Sequence, residues 1–512
     1  MTHQLLVPAK DLPEGAFDVL VIGSGMGGLA SALILSKEGF KVCVLEQHYR
    51  VGGCLHRFFR KKVPFDTGFH YIGGVEEGGT FARYLRFLGV YDKLKFHFLD
   101  PDGFDVLQFP DLTFRIPNGW SNLVARLNET FPGEKGAIAR YAEVCQQICR
   151  DSPAYSFQQP SDLPGEYSRL GVGAFLRSLS SNQKLHAVLT GQSLLYAIEP
   201  ENTPIELHAL VLDSMMQGAA GIDGGGDALA SAMVEAIVAH GGVVRTRAKV
   251  TALGVEGGKV TSATLEKGEV VHARCFISNA HPSVTLDLLP TGAMRPAYVH
   301  RVKGMKDGIS CIAGYYTSND QGPPKRRHNL YVLPSYDVDE MYRTAGFGPG
   351  HRDEKGLFIT FPSDRESDWK GPRVMLALGL MNYSEVARFA DTRTGARGEQ
   401  YEAFKEQYGR ELQTRVEAAL PEYAGKLASV EVSTPLTNRD YTGAPDGAIY
   451  GLRHSLDQWG KYALHPRTRI ENLLLTGQNI LMPGVLGVTV GAFVTCAFLV
   501  GFDALFQKVA RS

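Results

Sequence analysis

Cysteine is scarce in this sequence. Seven residues among 512 are too few and too scattered for a disulfide framework, and the pattern suits a reducing compartment. Cys145 and Cys149 sit four apart on an expected helix. No second pair completes a metal site, so packing accounts for them. A surplus of either charge is also missing. Lys and Arg total 53 against 54 Asp and Glu, a formal net charge of -1, which argues against a polyanionic partner such as nucleic acid. The opening segment MTHQLLVPAKDLPEG lacks an apolar core of signal-peptide length. The expected location is therefore cytoplasmic, or peripheral on the cytoplasmic face of a membrane, and not secreted. Neither a low-complexity tail nor a repeat at solenoid period occurs. No pair of carboxylates and no Ser-His-Asp set offers a ready catalytic scheme.

Charge is absent from one long stretch, Ile480 to Phe502, which a hydropathy window alone would read as a membrane span. Its first half holds Pro483, Gly484, Gly487 and Gly491, and it follows a strand-like run, Asn472 to Thr476, ended by Gly477. A strand, a glycine turn and an apolar helix are expected instead, buried in an α/β domain.

Glycine is abundant, with 57 residues, and it clusters near the two ends. Asp18 to Ile22 reads as a buried parallel strand. Gly23 to Gly28 form a turn, Leu29 to Lys37 a helix stopped at Gly39, and Lys41 to Leu45 the next strand. This βαβ unit implies a doubly wound sheet. Gly23, Gly25 and Gly28 spell G-x-G-x-x-G between strand and helix. The first permits the tight turn, the second lets a pyrophosphate reach the backbone, and the third lets helix and strand pack closely. Met26 and Gly27 lie within the same turn, where a helix N-terminus offers free N–H groups and a positive dipole end. Glu46 ends the second strand, about 20 residues on, where an acid holds ribose hydroxyls.

Residues 80 to 210 read as largely helical. Gly224 to Gly226 then precede a helix, Asp227 to His240, but no buried apolar strand is expected before those glycines. They therefore do not make a second nucleotide fingerprint. Strands are expected at Val243 to Val250, Lys259 to Glu266, Glu269 to Ile277, Ser310 to Tyr316, Leu357 to Phe361 and Arg373 to Leu380, with a long helix from about Gly398 to Ala419. The nucleotide domain is thus expected to be discontinuous, from segments 16–80, 220–285 and 440–510. Segments 81–219 and 286–439 would form an inserted substrate domain.

Further blocks carry a family resemblance. Glu46-Gln47-His48-Tyr49-Arg50-Val51-Gly52-Gly53-Cys54 has an E-x-x-x-x-x-G-G form. Phe65-Asp66-Thr67-Gly68-Phe69-His70-Tyr71-Ile72-Gly73 is the most discriminating run. Ile277-Ser278-Asn279-Ala280-His281-Pro282 ends a strand, and Gly447-Ala448-Ile449-Tyr450-Gly451 to His454 precedes Leu475-Thr476-Gly477-Gln478-Asn479. With these the chain resembles the carotenoid desaturase and isomerase superfamily of FAD flavoproteins, and within it the saturase branch that reduces a retinoid double bond. The likeness is dense only toward the ends of the chain. It implies a Rossmann-type FAD-binding domain of the α/β class. Gly52, Gly53, Asp66, Gly68 and Asn279 would lie along the cofactor, and Val250 would hold adenine through its backbone. Gly477 and Gln478 would sit by the phosphates and ribityl chain, and Gly487 and Val488 would start a helix aimed at the flavin ring. Cys54 stands where many amine oxidase relatives have arginine, which favours the saturase branch.

The same resemblance implies hydride transfer between the flavin and a carbon of an apolar conjugated polyene, with a proton completing the reaction. His70, Tyr71 and Tyr450 are the candidate proton donors, with His454 a weaker one. Desaturation or cis–trans isomerisation of a carotene stays open beside reduction, as do an amine oxidase and a prenyl-lipid escort that needs no flavin. External NAD(P)H or an electron-transfer protein would supply electrons. Arg57-Phe58-Phe59-Arg60-Lys61-Lys62 mixes cations and aromatics as surface-seeking segments do, and peripheral membrane contact is expected there. Oligomeric state is left open.

Overall fold

The computed structural model describes residues 13–157, 167, 169–320, 324–346 and 356–512. Most of the opening segment, residues 1–12, lies outside the described residues.

Phe17–Ile22 is a strand whose last four residues are fully enclosed, as its unbroken apolar run requires. It pairs in parallel with Val42–Leu45 on one side and with Val270–Ser278 on the other. Leu473–Leu475, from the far end of the chain, adds beyond Val270–Ser278, also in parallel. The helix Met26–Lys37 is buried along nearly its whole length. It packs on the 17-residue helix Gly484–Val500. Ser31 lies at this contact. The Cys496 thiol reaches the Ser31 carbonyl at 3.6 Å, and the Ser31 and Thr476 hydroxyls meet at 3.3 Å. The uncharged run 480–502 is therefore buried by a protein helix, and no described helix is long and apolar enough to cross a membrane.

A second seven-stranded sheet runs in the order Ala428–Ser433, Ser310–Ser318, Arg373–Met381, Leu357–Thr360, Asn329–Val332, Asp105–Gln108 and Thr113–Ile116. Its pairs are antiparallel except for Asn329–Val332 with Asp105–Gln108. Glu399–Ala419 covers one face, placing Leu412 and Val416 against Met375 and Ala377. Helices between 120 and 216 close the other side around a separate apolar core.

Three expectations need correction. The run 243–250 is not one strand. It breaks into Val243–Arg245 and Val250–Glu256, at opposite ends of the first sheet. Arg247, at φ 53°, and Ala248 instead donate their N–H groups to His48 and Glu46 carbonyls, so the chain crosses the sheet's end. Alternation of side chains cannot reveal such a crossing. Second, residues 80–210 contain the strands Phe96–Phe98, Asp105–Gln108 and Thr113–Ile116. Those short strands depend on partners such as Asn329–Val332, more than 200 residues away. Third, Gly224 to Gly226 do follow a buried strand, Ala220–Ile222. It pairs antiparallel with Phe96–Phe98, outside the parallel sheet on which a nucleotide fingerprint is built.

Cys145 and Cys149 are buried in the helical core, and burial pushes both thiols up. Among the described residues no cluster of His, Cys, Asp or Glu could hold a metal ion.

Candidate functional site

Three glycine turns from distant parts of the chain meet at the C-terminal ends of the parallel strands. The first follows Phe17–Ile22. Gly23 takes φ +92°, and the helix begins at Met26, earlier than its apolar pattern suggests. The N–H groups of Met26, Gly27 and Gly28 precede the first intrahelical donor, because Leu29 is the residue whose N–H reaches back to the Gly25 carbonyl at 3.0 Å. A Cβ on Gly28 would stand 2.0 Å from the Gly23 carbonyl oxygen, which is the close helix–strand approach that the third glycine permits. Gly52 and Gly53, at φ +105° and +56°, form the second turn. The Gly52 N–H donates to the Ser24 carbonyl at 3.0 Å, and a Cβ on Gly53 would lie 3.1 Å from the Gly25 Cα. Gly477 makes the third turn, and a Cβ on Gly27 would come 2.7 Å from its Cα.

Asn279 is wedged between the turns. Its side-chain nitrogen would be 2.8 Å from a Cβ on Gly25, and its oxygen 2.3 Å from one on Gly477. Only glycine leaves backbone N–H groups bare on both sides of this wedge. Glu46 is buried beside it. Its carboxylate accepts from the Ser24 N–H at 2.8 Å, the Ser24 hydroxyl at 2.7 Å and the His48 N–H at 2.8 Å. A carboxylate has about four lone-pair sites, so it is held firmly with one site left for a ribose hydroxyl. Gln47 is exposed beside it. Val250 begins its strand two residues after Ala248, which is tied to the Glu46 carbonyl. The cradle thus offers bare N–H groups and a helix N-terminus for phosphates and an acid for a ribose, the donor set a dinucleotide needs.

Next to the cradle, Gly68 donates its N–H to the Cys54 carbonyl at 3.1 Å. Cys54 and Tyr450 retain accessible surface, yet protein surrounds both and loss of bulk water raises both pKa values. They border the interior between the two sheets, not the outer surface. The segment around Tyr450 rests on the third turn. The Leu452 N–H donates to the Asn479 side chain at 2.8 Å, and His454 Nε2 contacts the Gln478 carbonyl at 2.6 Å. Gly487 and Val488 occupy the first turn of Gly484–Val500. Gly487 is pressed against Met482, 2.7 Å from where its Cβ would be.

Several candidates stand elsewhere than expected. The Asp66 carboxylate is taken by Arg57 at 2.5 Å, and Arg57 also meets Glu366 at 2.6 Å, all three buried or nearly so. The side chain of Asp66 therefore joins this ion cluster instead of turning toward the cradle. His70 is held neutral near pH 7, because burial and the Arg365 cation press its pKa down to about 4, so it is no acid at that pH. His454 is likewise pressed to about 4 by burial. Tyr71 points away from the cradle and donates its hydroxyl to Asp105 at 2.6 Å. Tyr450 keeps its proton and is the expected donor nearest Cys54.

The sequence reading missed the groups around Tyr71. Asp105, Asn329, Tyr331, Arg365 and Gln192 come from four separate segments, Asn329 and Tyr331 sharing one strand, and carry no motif. A separate open cavity of about 1050 Å³ lies between the helical segments 173–202 and residues 307–309, 336–343, 382 and 453. Its lining mixes apolar residues such as Leu176, Ile309 and Val338 with polar and charged ones such as His186, Glu199 and Asp307. Ion pairs such as Arg177–Glu201, at 2.7 Å, stand at its charged rim. Tyr342 is within electrostatic reach of Tyr450.

Comparison with known proteins agrees with this geometry. Residues 26–306 match the family described as flavin containing amine oxidoreductase. Human all-trans-retinol 13,14-reductase is 31% identical, over 94% of this chain and 85% of its own length. The chloroplastic prolycopene isomerase of Arabidopsis thaliana is 25% identical, over 98% of this chain and 85% of its own length. Among solved structures, an oxidoreductase from Methanosarcina mazei shares the fold with a TM-score of 0.64 at 15% identity, covering 93% of this chain and 99% of that one. With the glycine cradle formed from both ends of the sequence, this chain belongs to the flavin-containing amine oxidoreductase family.

Proposed function

We propose that the protein is an FAD-dependent enzyme that reduces a carbon–carbon double bond of an apolar conjugated polyene of the retinoid or carotenoid class. The observation that carries the dinucleotide part is the cradle of Gly23–Gly28, Gly52–Gly53 and Gly477 wedged by Asn279, with Glu46 fixed beside it. Support for the polyene part comes from relatives named as a retinol reductase and a prolycopene isomerase.

When bound, the flavin supplies the hydride chemistry. The chain's own residues do the rest. The first helix turn and Gly52–Gly53 hold the phosphates, Glu46 the ribose and the Val250 backbone the adenine. Gln478 and the Gly487–Val488 turn face the remainder. Tyr450 is a neutral hydroxyl that orients the substrate or passes a proton. Segments 16–80, 220–285 and 440–510 form the cofactor part in this reading, and 81–219 and 286–439 the substrate part. Electrons arrive from NAD(P)H or a protein donor. The hairpin Arg57–Asp66, with Phe59 exposed at its tip beside Lys61 and Lys62, approaches the membrane that stores the substrate.

The test is a single turnover without oxygen. Chemically reduced holoprotein is mixed with all-trans-retinol, and flavin reoxidation is followed with loss of the polyene band. Matching amplitudes support reduction. A rearranged polyene with the flavin still reduced supports the second reading, isomerisation, which the prolycopene isomerase relative favours.

A further inference from the structure

We propose that Asp105 is a buried proton reservoir that relays its proton to the substrate through the hydroxyls of Tyr71 and Tyr331. This rests on the polyene-reduction reading above.

Asp105 opens the strand Asp105–Gln108 and is fully buried. Among the described residues no cation touches it. Its partners are neutral donors: the Tyr71 hydroxyl at 2.6 Å, Gln192 Nε2 at 2.5 Å and Asn329 Nδ2 at 2.8 Å. Asn329 turns its oxygen the other way, where it accepts from the Thr360 hydroxyl at 2.8 Å and from the Arg365 guanidinium. Arg365 is itself buried, donates to the His70 carbonyl at 2.5 Å and leaves its Nε without a partner. One amide therefore separates a buried acid from a buried cation. A purely structural pair would gain more from direct contact. This spacing leaves Asp105 free to change its protonation state while Arg365 offsets the negative form.

Hydroxyls continue outward from Asp105. Tyr71 and Tyr331 oxygens lie 2.9 Å apart, both rings pack on Phe358, and Tyr331 is the outermost hydroxyl that this hydrogen-bonded line reaches among the described residues. Burial holds both phenols far above their ordinary pKa, so neither rests as an anion and protons cross them by concerted hops. Burial lifts Asp105 to about 6 in spite of its three donors. The titratable groups facing it are Tyr71, Tyr331 and Arg365. His70 is neutral, and Asp66 is occupied by Arg57.

The step balances as follows. The polyene carbon that takes the proton holds the electron pair left when its neighbour receives a hydride from the reduced flavin. That pair forms the new C–H bond as the outermost tyrosine O–H breaks. Tyrosine protons then shift outward by one place, Asp105 gives its proton to Tyr71, and a carboxylate remains facing Asn329.

Infrared difference titration of the holoprotein reads Asp105 directly, and single-turnover rates against pH read its use. A protonated-carboxyl band should titrate near pH 6 and vanish in Asp105→Asn. Wild-type turnover should fall tenfold per pH unit above that point. In Asp105→Asn it should be slower by roughly 10²-fold at low pH and flat. Tyr71→Phe, which removes only a hydroxyl, should lose the same pH limb while keeping a shifted carboxyl band, and it serves alone if Asp105→Asn fails to fold. Persistence of the band in Asp105→Asn, or an unchanged pH limb in either variant, overturns the proposal. A wild type that never turns over a polyene sinks the functional reading instead. The reservoir then stands only if Tyr71→Phe moves the Asp105 titration, and falls if it does not.

Discussion

The cofactor cradle and the wall around Asp105 are built on opposite principles. The cradle is made of what is left out: glycines whose missing Cβ atoms let Gly23, Gly25, Gly27, Gly28 and Gly477 crowd around Asn279. The wall is made of what is put in: Asp105, Asn329, Arg365, Tyr71 and Tyr331, buried polar groups that satisfy one another. A cradle fails by addition and a wall by subtraction. Single substitutions should therefore break them in different ways.

The largest effect on cofactor content is expected at Gly28. In Gly28→Ala the new Cβ meets the Gly23 carbonyl oxygen, which is backbone and cannot swing aside. Overpacking of this kind costs about 1–3 kcal/mol. It also pushes the helix start out of place, so flavin per protein, read by absorbance, should fall close to zero. Full flavin content in this variant would remove the cradle from the comparison.

Next comes Arg57, where the two regions join. Arg57→Met leaves Asp66 and Glu366 buried without their cation, and breaking such a pair costs about 3–5 kcal/mol. Urea unfolding should show that loss. Glu366, already raised to about 7 by burial, should titrate higher still in the variant, which softens the loss at low pH.

The buried histidines sharpen the contrast through pH. His208, held between the Tyr141 and Tyr196 hydroxyls at 2.6 and 3.0 Å, is lowered by burial from 6.5 to about 4. Between those values the unfolded chain binds a proton that the folded protein refuses. The contribution of His208 is therefore intact above pH 6.5 and lost as pH falls toward 4, by about 3 kcal/mol. Asp105 and Glu366 are raised in the fold and oppose that trend. The clean observable is thus the difference between His208→Asn and wild type. The variant should gain about 3 kcal/mol relative to wild type between the urea midpoints at pH 6.5 and pH 4. A constant difference would show that His208 titrates normally.

Cysteine gives the smallest effect. Cys149→Ser places a stronger hydrogen-bonding group in the helical core, where the thiol meets only the Ala209 carbonyl. It should cost about 1–2 kcal/mol. Cys54→Ser faces the interior space beside Tyr450 and should cost under ~0.5 kcal/mol. Equal thermal shifts for the two would show that Cys54 is packed like the rest.

Local spacing alone determined the cradle. A glycine that needs φ > 0, or that must let backbone approach backbone, is marked by its own identity. Gly23, Gly25, Gly28, Glu46 and the pair Gly52–Gly53 therefore stand at readable intervals along one βαβ unit, and the likeness of Gly477-Gln478 to a family motif supplied the far end. The apolar run 480–502 was likewise legible as a buried helix, because its glycines and the strand before it are sequence neighbours. Tertiary structure decided the wall. Asp105 looks like any residue before a short strand until Asn329–Val332 pairs beside it. Tyr71 belonged to a recognised motif, yet nothing local said that its hydroxyl turns to Asp105. The Arg57–Asp66–Glu366 cluster and the break at Arg247 are equally invisible along the chain. Glycine acts through the backbone at its own position, so its meaning is local. A buried charge acts through partners that only folding brings within 3 Å, so its meaning is settled when the chain closes on itself.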